Sequence, residues 1–209
     1  DIAVFSFHPV KIITTGEGGA VLTNSPALIK KLKILRGHGI TKNKKDYVYK
    51  NKQPWYYEQH ILGYNYFITD FQSALGISQL KRVEKFINKR KKIFNWYEKK
   101  LNFDGYKSLV QKKDRNSSLH LYIIKFNEGL KLRNEVYNYF KSINIDTNVH
   151  YIPIYKMPFY KNTCKYPNSD KYYDQCLSLP MYYELNYKTV NKICNLLNKK
   201  IRLLNKNLA

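Results

Sequence analysis

The stretch Phe5-Ser6-Phe7-His8-Pro9-Val10-Lys11-Ile12-Ile13-Thr14-Thr15-Gly16-Glu17-Gly18-Gly19 decides how the rest of the sequence is read. Apolar residues from Ile2 to Phe7 spell an interior strand, ended by a serine and a His-Pro turn. Lys11 follows, and a glycine-bearing turn then leads into a second strand at Gly19–Thr23. A lysine behind a buried strand is costly to leave charged, because desolvation disfavours the ammonium form. The same pressure supplies the free amine that forms a Schiff base with an aldehyde. The Ser6 hydroxyl is placed to hydrogen-bond a phosphate, and Gly16, Gly18 and Gly19 permit close approach of a ligand. Spacing alone favours a plainer reading, a surface lysine in a glycine-rich hairpin, because a lone glycine-rich turn is a weak signal.

Working outward, Ser25-Pro26 offers an N-cap and a proline at the first helical position, ahead of a helix over roughly 28–36. Residues 40–62 show no apolar period and read as a long loop. Thr69 and Gln72 form a capping-box pattern in front of a long helix, or two joined helices, ending near Leu101. Gly105–Ser118 reads as loop, Leu119–Phe126 as strand and Leu132–Ser142 as helix. A short strand at Thr147–His150, a proline-punctuated loop, a helix near Asn168–Cys176, the segment Leu177–Leu179 and a last helix at Lys188–Leu204 complete the pattern. The boundary between two units falls near residue 85. The chain opens on an apolar strand without a preceding cap, which reads as a domain that begins upstream.

Composition narrows the function classes. No run of 18 apolar residues is present to span a membrane as a helix, and the opening residues lack signal-peptide features. Cys164, Cys176 and Cys194 are far apart and without zinc-ligand spacing, so no metal site is expected. Reduced thiols point to a cytoplasmic protein. The 37 Lys+Arg against 15 Asp+Glu give a net charge of +22, which raises nucleic-acid binding as a class. The excess is mostly lysine spread along the chain, with short clusters such as Lys89-Arg90-Lys91-Lys92 and no basic tail. Nucleic acid is therefore not the expected partner. A positive surface suits a substrate that carries a diphosphate.

Four ordered blocks change the weight of the Lys11 segment. SFHPVKIITTGEGGAV, from Ser6, resembles the cofactor-lysine segment of the DegT-type sugar aminotransferases, which depend on pyridoxal 5'-phosphate. RGHGI (36–40), LGYNYFITDFQSALGISQLKRVEKFINKR (62–90), NVHYIPIYKMPFY (148–160) and CLSLPMYYELN (176–186) resemble further segments of that family in the same order. The resemblance implies an α/β chain, the C-terminal part of a fold-type I transferase. Residues 1–85 would be the remnant of the large cofactor-binding α/β domain, and residues 86–209 a small C-terminal α+β domain.

The resemblance also implies roles. Lys11 would bond the cofactor and shuttle the proton, Ser6 would bind its phosphate, and His8 would lie beside Lys11. Asn65 would reach the phosphate site of the neighbouring subunit in a homodimer with shared active sites. His150, Tyr151 and His38 are substrate candidates. Each has a plainer alternative: His8 holds its turn, Asn65 caps a helix from outside, His38 is a loop residue, and His150 and Tyr151 are packing. The implied reaction moves an amino group from glutamate to a nucleotide-linked 4-keto-6-deoxy sugar, nearest to the UDP-linked substrate of pseudaminic acid biosynthesis. Alternatives are a C3, perosamine-type or lipid A-modifying aminotransferase, a basic nucleic-acid or glycan-binding module, and a regulatory homologue without turnover. Lys11 disfavours the dehydratase relatives, which carry histidine there. Family members are close to twice this length, so the chain alone is expected to be inactive. Phe67 stands where the family usually has arginine, so another basic residue is expected to hold the diphosphate, or the substrate differs.

Overall fold

The computed structural model describes residues 1–50, 53–102, 105–160 and 164–206, and the chain divides into two units, Asp1–Val83 and Glu84–Ala209. In the first unit, β1 (Ala3–Ser6) and β2 (Gly19–Leu22) form an antiparallel hairpin in the register Ala3↔Leu22 to Ser6↔Gly19. α1 (Pro26–Arg36) starts where its cap predicts: the Ser25 hydroxyl accepts from Leu28 N at 3.4 Å and Pro26 fills the first turn. β3 (Ile40–Thr41) pairs with β4 (Glu58–Gln59), so the span expected to be structureless contains a two-stranded ladder and a 3₁₀ turn at Lys44–Asp46. Residues 51 and 52 of that span lie outside the described residues. α2 (Asp70–Leu80) carries the expected capping box.

The interior strand expected at Ile2–Phe7 needs correcting. Every residue of β1 is exposed, with Val4 at 75 %. Apolar character marks a strand that wants cover, but among the described residues β1 bonds only to β2. α2 is exposed in the same way at Phe71, Ile77 and Leu80.

The second unit buries its core well. α3 (Val83–Lys100), α4 (Leu130–Ser142) and α6 (Tyr187–Lys206) pack with an antiparallel sheet of order β5-β6-β7. β5 is Tyr106–Ser108, β6 Tyr122–Phe126 and β7 Cys176–Leu179, registered by Tyr106↔Phe126 and Tyr122↔Leu179. Tyr122, Ile124 and Phe126 alternate into the core, as period 2 requires. Lys125 points the other way, toward the Tyr172 ring of α5 (Pro167–Gln175) at 5.9 Å. β7 is buried along its whole length.

Three strand expectations change. β5 lies inside the stretch read as loop. β6 is shorter than Leu119–Phe126, because Leu119 takes φ 53° and cannot extend the ladder. Thr147–His150 makes only an isolated bridge, Asn148 to Ser178.

Arg90, part of the short basic cluster Lys89-Arg90-Lys91-Lys92, is buried. Its Nη1 donates to the carbonyls of His120 (2.8 Å), Met181 (3.2 Å) and Leu119 (3.5 Å). Burial lowers the proton affinity of this guanidinium. Tyr97 donates to Pro180 O at 2.9 Å, and Tyr122 donates to the Glu98 carboxylate. No helix among the described residues is long and apolar enough to cross a membrane, and no His/Cys/Asp/Glu cluster there could hold a metal.

Candidate active site

The loop joining β1 to β2 carries Ser6, His8 and Lys11 together. Its fold follows from local chemistry. Pro9 presets a turn, and Lys11 N closes it on His8 O at 2.9 Å. Phe7 O then accepts from both Thr15 N (3.0 Å) and the Thr14 hydroxyl (2.9 Å), while Phe7 N donates to Gly18 O at 2.9 Å. These bonds pin both ends of the loop and leave Lys11 at its tip.

Gly18 cannot be replaced freely. It sits at φ 152°, and a Cβ there would lie 2.4 Å from Thr15 Oγ1. Thr15 is itself buried, its hydroxyl donating to Glu17 O at 2.7 Å. Gly76 of α2 seats the other side of Thr15, since a Cβ there would stand 2.9 Å from Thr15 Cγ2.

The Lys11 side chain is half-buried at this tip, five residues beyond an exposed strand. The expected burial behind a covered strand is therefore not met within this chain. Among the described residues Lys11 makes no ion pair. Ser6 Oγ accepts from His8 N at 3.4 Å, and His8 Nε2 stands 3.7 Å from the Glu17 carboxylate. The His8 contact is open to solvent on both sides and worth little by itself.

His38 and Asn65 meet in a second substructure. Segments 36–39 and 63–66 run antiparallel: Gly37 pairs with Asn65, His38 N donates to Tyr64 O (3.1 Å), and Tyr66 N donates to Arg36 O (3.0 Å). Gly39 makes this approach possible, because at φ 72° a Cβ would fall 1.7 Å from Ile61 O. His38 is exposed at φ 60°, and its carbonyl accepts from Gln59 Nε2 at 2.7 Å. Asn65 Oδ1 accepts from Phe67 N at 3.2 Å, which leaves the capping of α2 to Thr69. The Arg36 guanidinium lies 4.9 Å from the centre of the Phe67 ring.

Glu58 is the feature that sequence reasoning missed here. Its buried carboxylate accepts from Val48 N (2.7 Å), Tyr49 N (2.9 Å), Tyr56 OH (3.1 Å) and His60 Nε2 (2.7 Å). Burial alone would raise its pKa. The bonds from His60, Val48, Tyr49 and Tyr56 outweigh that and hold it at about 2. A lone glutamate in a polar stretch gives no sequence signal of this clasp.

In the second unit, His150 Nδ1 lies 2.7 Å from Ser178 Oγ, fixed by the backbone exchange between Asn148 and Ser178. The exposed Tyr151 ring packs edge-on against His150 at 4.6 Å. Tyr151 also lines an open cleft of about 430 Å³ with Pro153, Ile154, Tyr155, Ser169 and Tyr172. Tyr155 OH donates to Asp170 at 3.0 Å, and Lys156 pairs with the same carboxylate at 2.6 Å, holding it below the usual range.

Comparison with known proteins adds to this geometry. Residues 1–198 match the DegT/DnrJ/EryC1/StrS aminotransferase family. A UDP-4-amino-4,6-dideoxy-N-acetyl-beta-L-altrosamine transaminase from Campylobacter jejuni is 41% identical over 193 residues, which is 90% of this chain and 49% of that protein. The Helicobacter pylori aminotransferase involved in the biosynthesis of pseudoaminic acid superposes with TM-score 0.84 at 31% identity, covering 97% of this chain and 53% of that one. A Streptococcus pneumoniae protein described as a sugar aminotransferase, in its PLP form, gives TM-score 0.83 at 28% identity, covering 97% and 52%. The chain thus spans about half the length of the relatives it matches.

Proposed function

Because the chain belongs to the DegT/DnrJ/EryC1/StrS aminotransferase family, we propose that it carries the lysine-bearing part of a pyridoxal-phosphate-dependent nucleotide-sugar aminotransferase. The observation that carries the reading is Lys11: a half-buried amine at a pinned loop tip, without a carboxylate partner among the described residues. The neighbouring residues fit such a group. Ser6 uses only its acceptor side within the loop and keeps its hydroxyl proton for a phosphate oxygen. Backbone flexibility at Gly16 (φ 77°) lets the chain fold back without a side chain over the tip.

When bound, the cofactor supplies an electron sink for the carbon that loses a proton. This chain's residues do the rest. Lys11 would hold the cofactor through Nζ, and the same amine, once the amino donor has displaced it, would carry the proton between donor and cofactor. Ser6 would bind the cofactor phosphate, and His8 would lie beside Lys11. Asn65 would serve the phosphate site of the adjoining subunit in a homodimer, and His38, His150 and Tyr151 are the substrate candidates. Residues 1–85 are the cofactor-domain portion and residues 86–209 the small domain.

The finer reading is amination of a UDP-linked 4-keto-6-deoxy sugar in the cytoplasm with glutamate as donor. The 41% identity to the Campylobacter jejuni transaminase supports it. Exposed apolar residues on β1 and α2, and the greater length of the relatives, support a further requirement: activity needs sequence corresponding to the relatives' other half.

Borohydride reduction of the full-length protein with pyridoxal phosphate, followed by peptide mapping, tests the reading. Label on Lys11 is expected, and Lys11→Ala is expected to abolish turnover. Label on another lysine, or none, would end the assignment. Mass spectrometry of products from UDP-, GDP- and dTDP-keto sugars separates the substrate classes.

A further inference from the structure

We infer that Gln72 is a positioning residue for the Lys11 loop, an inference that rests on Lys11 being the cofactor lysine. The Gln72 amide faces two ways. Its Oε1 accepts from Thr69 N (3.0 Å) and from the Thr69 hydroxyl (3.1 Å), completing the capping box of α2. Its Nε2 donates to Glu17 O at 2.9 Å, across 55 residues of sequence. That carbonyl also accepts the Thr15 hydroxyl at 2.7 Å. The two donors therefore converge on one oxygen inside the turn that closes the lysine loop.

The link is reinforced from the same helix and its approach. Gly76, one helical turn beyond Gln72, receives Thr15 in space where a Cβ would stand 2.9 Å from Thr15 Cγ2. Ile68 Cδ1 lies 3.3 Å from where a Gly18 Cβ would be. α2 and its approach thus hold residues 15–18 by a hydrogen bond, and lie close enough that a methyl added at Gly76 or Gly18 would crowd Thr15 or Ile68. Those residues in turn bond Phe7, through Thr15 N and Gly18 O, on the far side of Lys11. The path from α2 to the lysine therefore runs through Glu17, Thr15 and Phe7 to the His8–Lys11 turn. The pattern Thr-x-x-Gln announces only a cap. Glutamate would cap equally well, but only the amide also donates to the Glu17 carbonyl beside the Thr15 hydroxyl.

Three variants of the full-length protein separate capping from positioning. Gln72→Glu keeps the cap, loses the donor and adds a charge; Gln72→Met loses both without a charge; Thr69→Ala loses the cap and keeps the donor. In the cofactor-free protein, hydrogen exchange at Lys11, Thr15 and Gly16 amides is expected to speed up about tenfold in both Gln72 variants, and less than twofold in Thr69→Ala. In the cofactor-loaded protein, the pH midpoint of the absorbance from Lys11-bound cofactor is expected to move by more than about 0.3 units in both Gln72 variants. Equal effects of Thr69→Ala, a midpoint that moves only in Gln72→Glu, or faster exchange with unmoved midpoints would each overturn the inference. Because the exchange measurement needs no cofactor, it decides the Gln72 link even if labelling shows that Lys11 is not the cofactor lysine.

Discussion

Replacing Arg90 by Met probes how the second unit is held together. Arg90 Nη1 is the donor shared by His120 O and Met181 O, at 2.8 and 3.2 Å, with a longer approach to Leu119 O. Met keeps the apolar stem within α3 but leaves two carbonyls without their donor. Each orphaned acceptor costs about 1–3 kcal/mol. Part of this is offset, because the guanidinium no longer has to be desolvated. The net expectation is a loss of about 2–4 kcal/mol, which for a urea slope of about 2 kcal/mol/M lowers the midpoint by roughly 1–2 M. Arg90→Lys keeps one donor head and should lose about half as much. The assay is urea unfolding followed by Trp96 fluorescence in a Trp55→Phe background, since Trp96 packs against the core while Trp55 is 71 % exposed. A loss below about 0.5 kcal/mol for Met would refute the reasoning, because the carbonyls would then be satisfied without Arg90.

Other expectations follow from the first unit. Glu58 is held at about 2 against an ordinary value of 4.5, so its folded form is the weaker proton binder. The stability it contributes is complete above about pH 4.5 and is lost as pH falls toward 2. Exchange at the Val48 and Tyr49 amides should accelerate across that window, and Glu58→Gln should flatten the dependence; an unchanged profile would remove the clasp as its cause. Gly39→Ala places a methyl 1.7 Å from Ile61 O at φ 72°. It should loosen the pairing of 36–39 with 63–66 by more than about 2 kcal/mol, read as faster exchange at His38 and Tyr66. Wild-type protection in that variant would contradict the packing described.

Local sequence chemistry was a reliable guide wherever the deciding contacts lie a few residues apart. The Ser25 cap and the Thr69–Gln72 box depend on such neighbours. The ordered motifs carried the family, because each preserves a backbone or side-chain requirement at a fixed spacing. Strands that depend on a distant partner were harder: β5 exists because Tyr106 meets Phe126, and Thr147–His150 is limited to one bridge with Ser178.

The sequence by itself determined the lysine segment, the helix starts and the family, since these are written in residue types at short separation. Only the tertiary structure decided that Arg90 is buried rather than solvated, that Glu58 collects four donors, and that the Gln72 amide reaches the Glu17 carbonyl. The physical reason is common to all three. A charged or polar side chain looks the same in sequence whether water or distant backbone satisfies it, and the choice is made only when the chain brings those partners within hydrogen-bond distance.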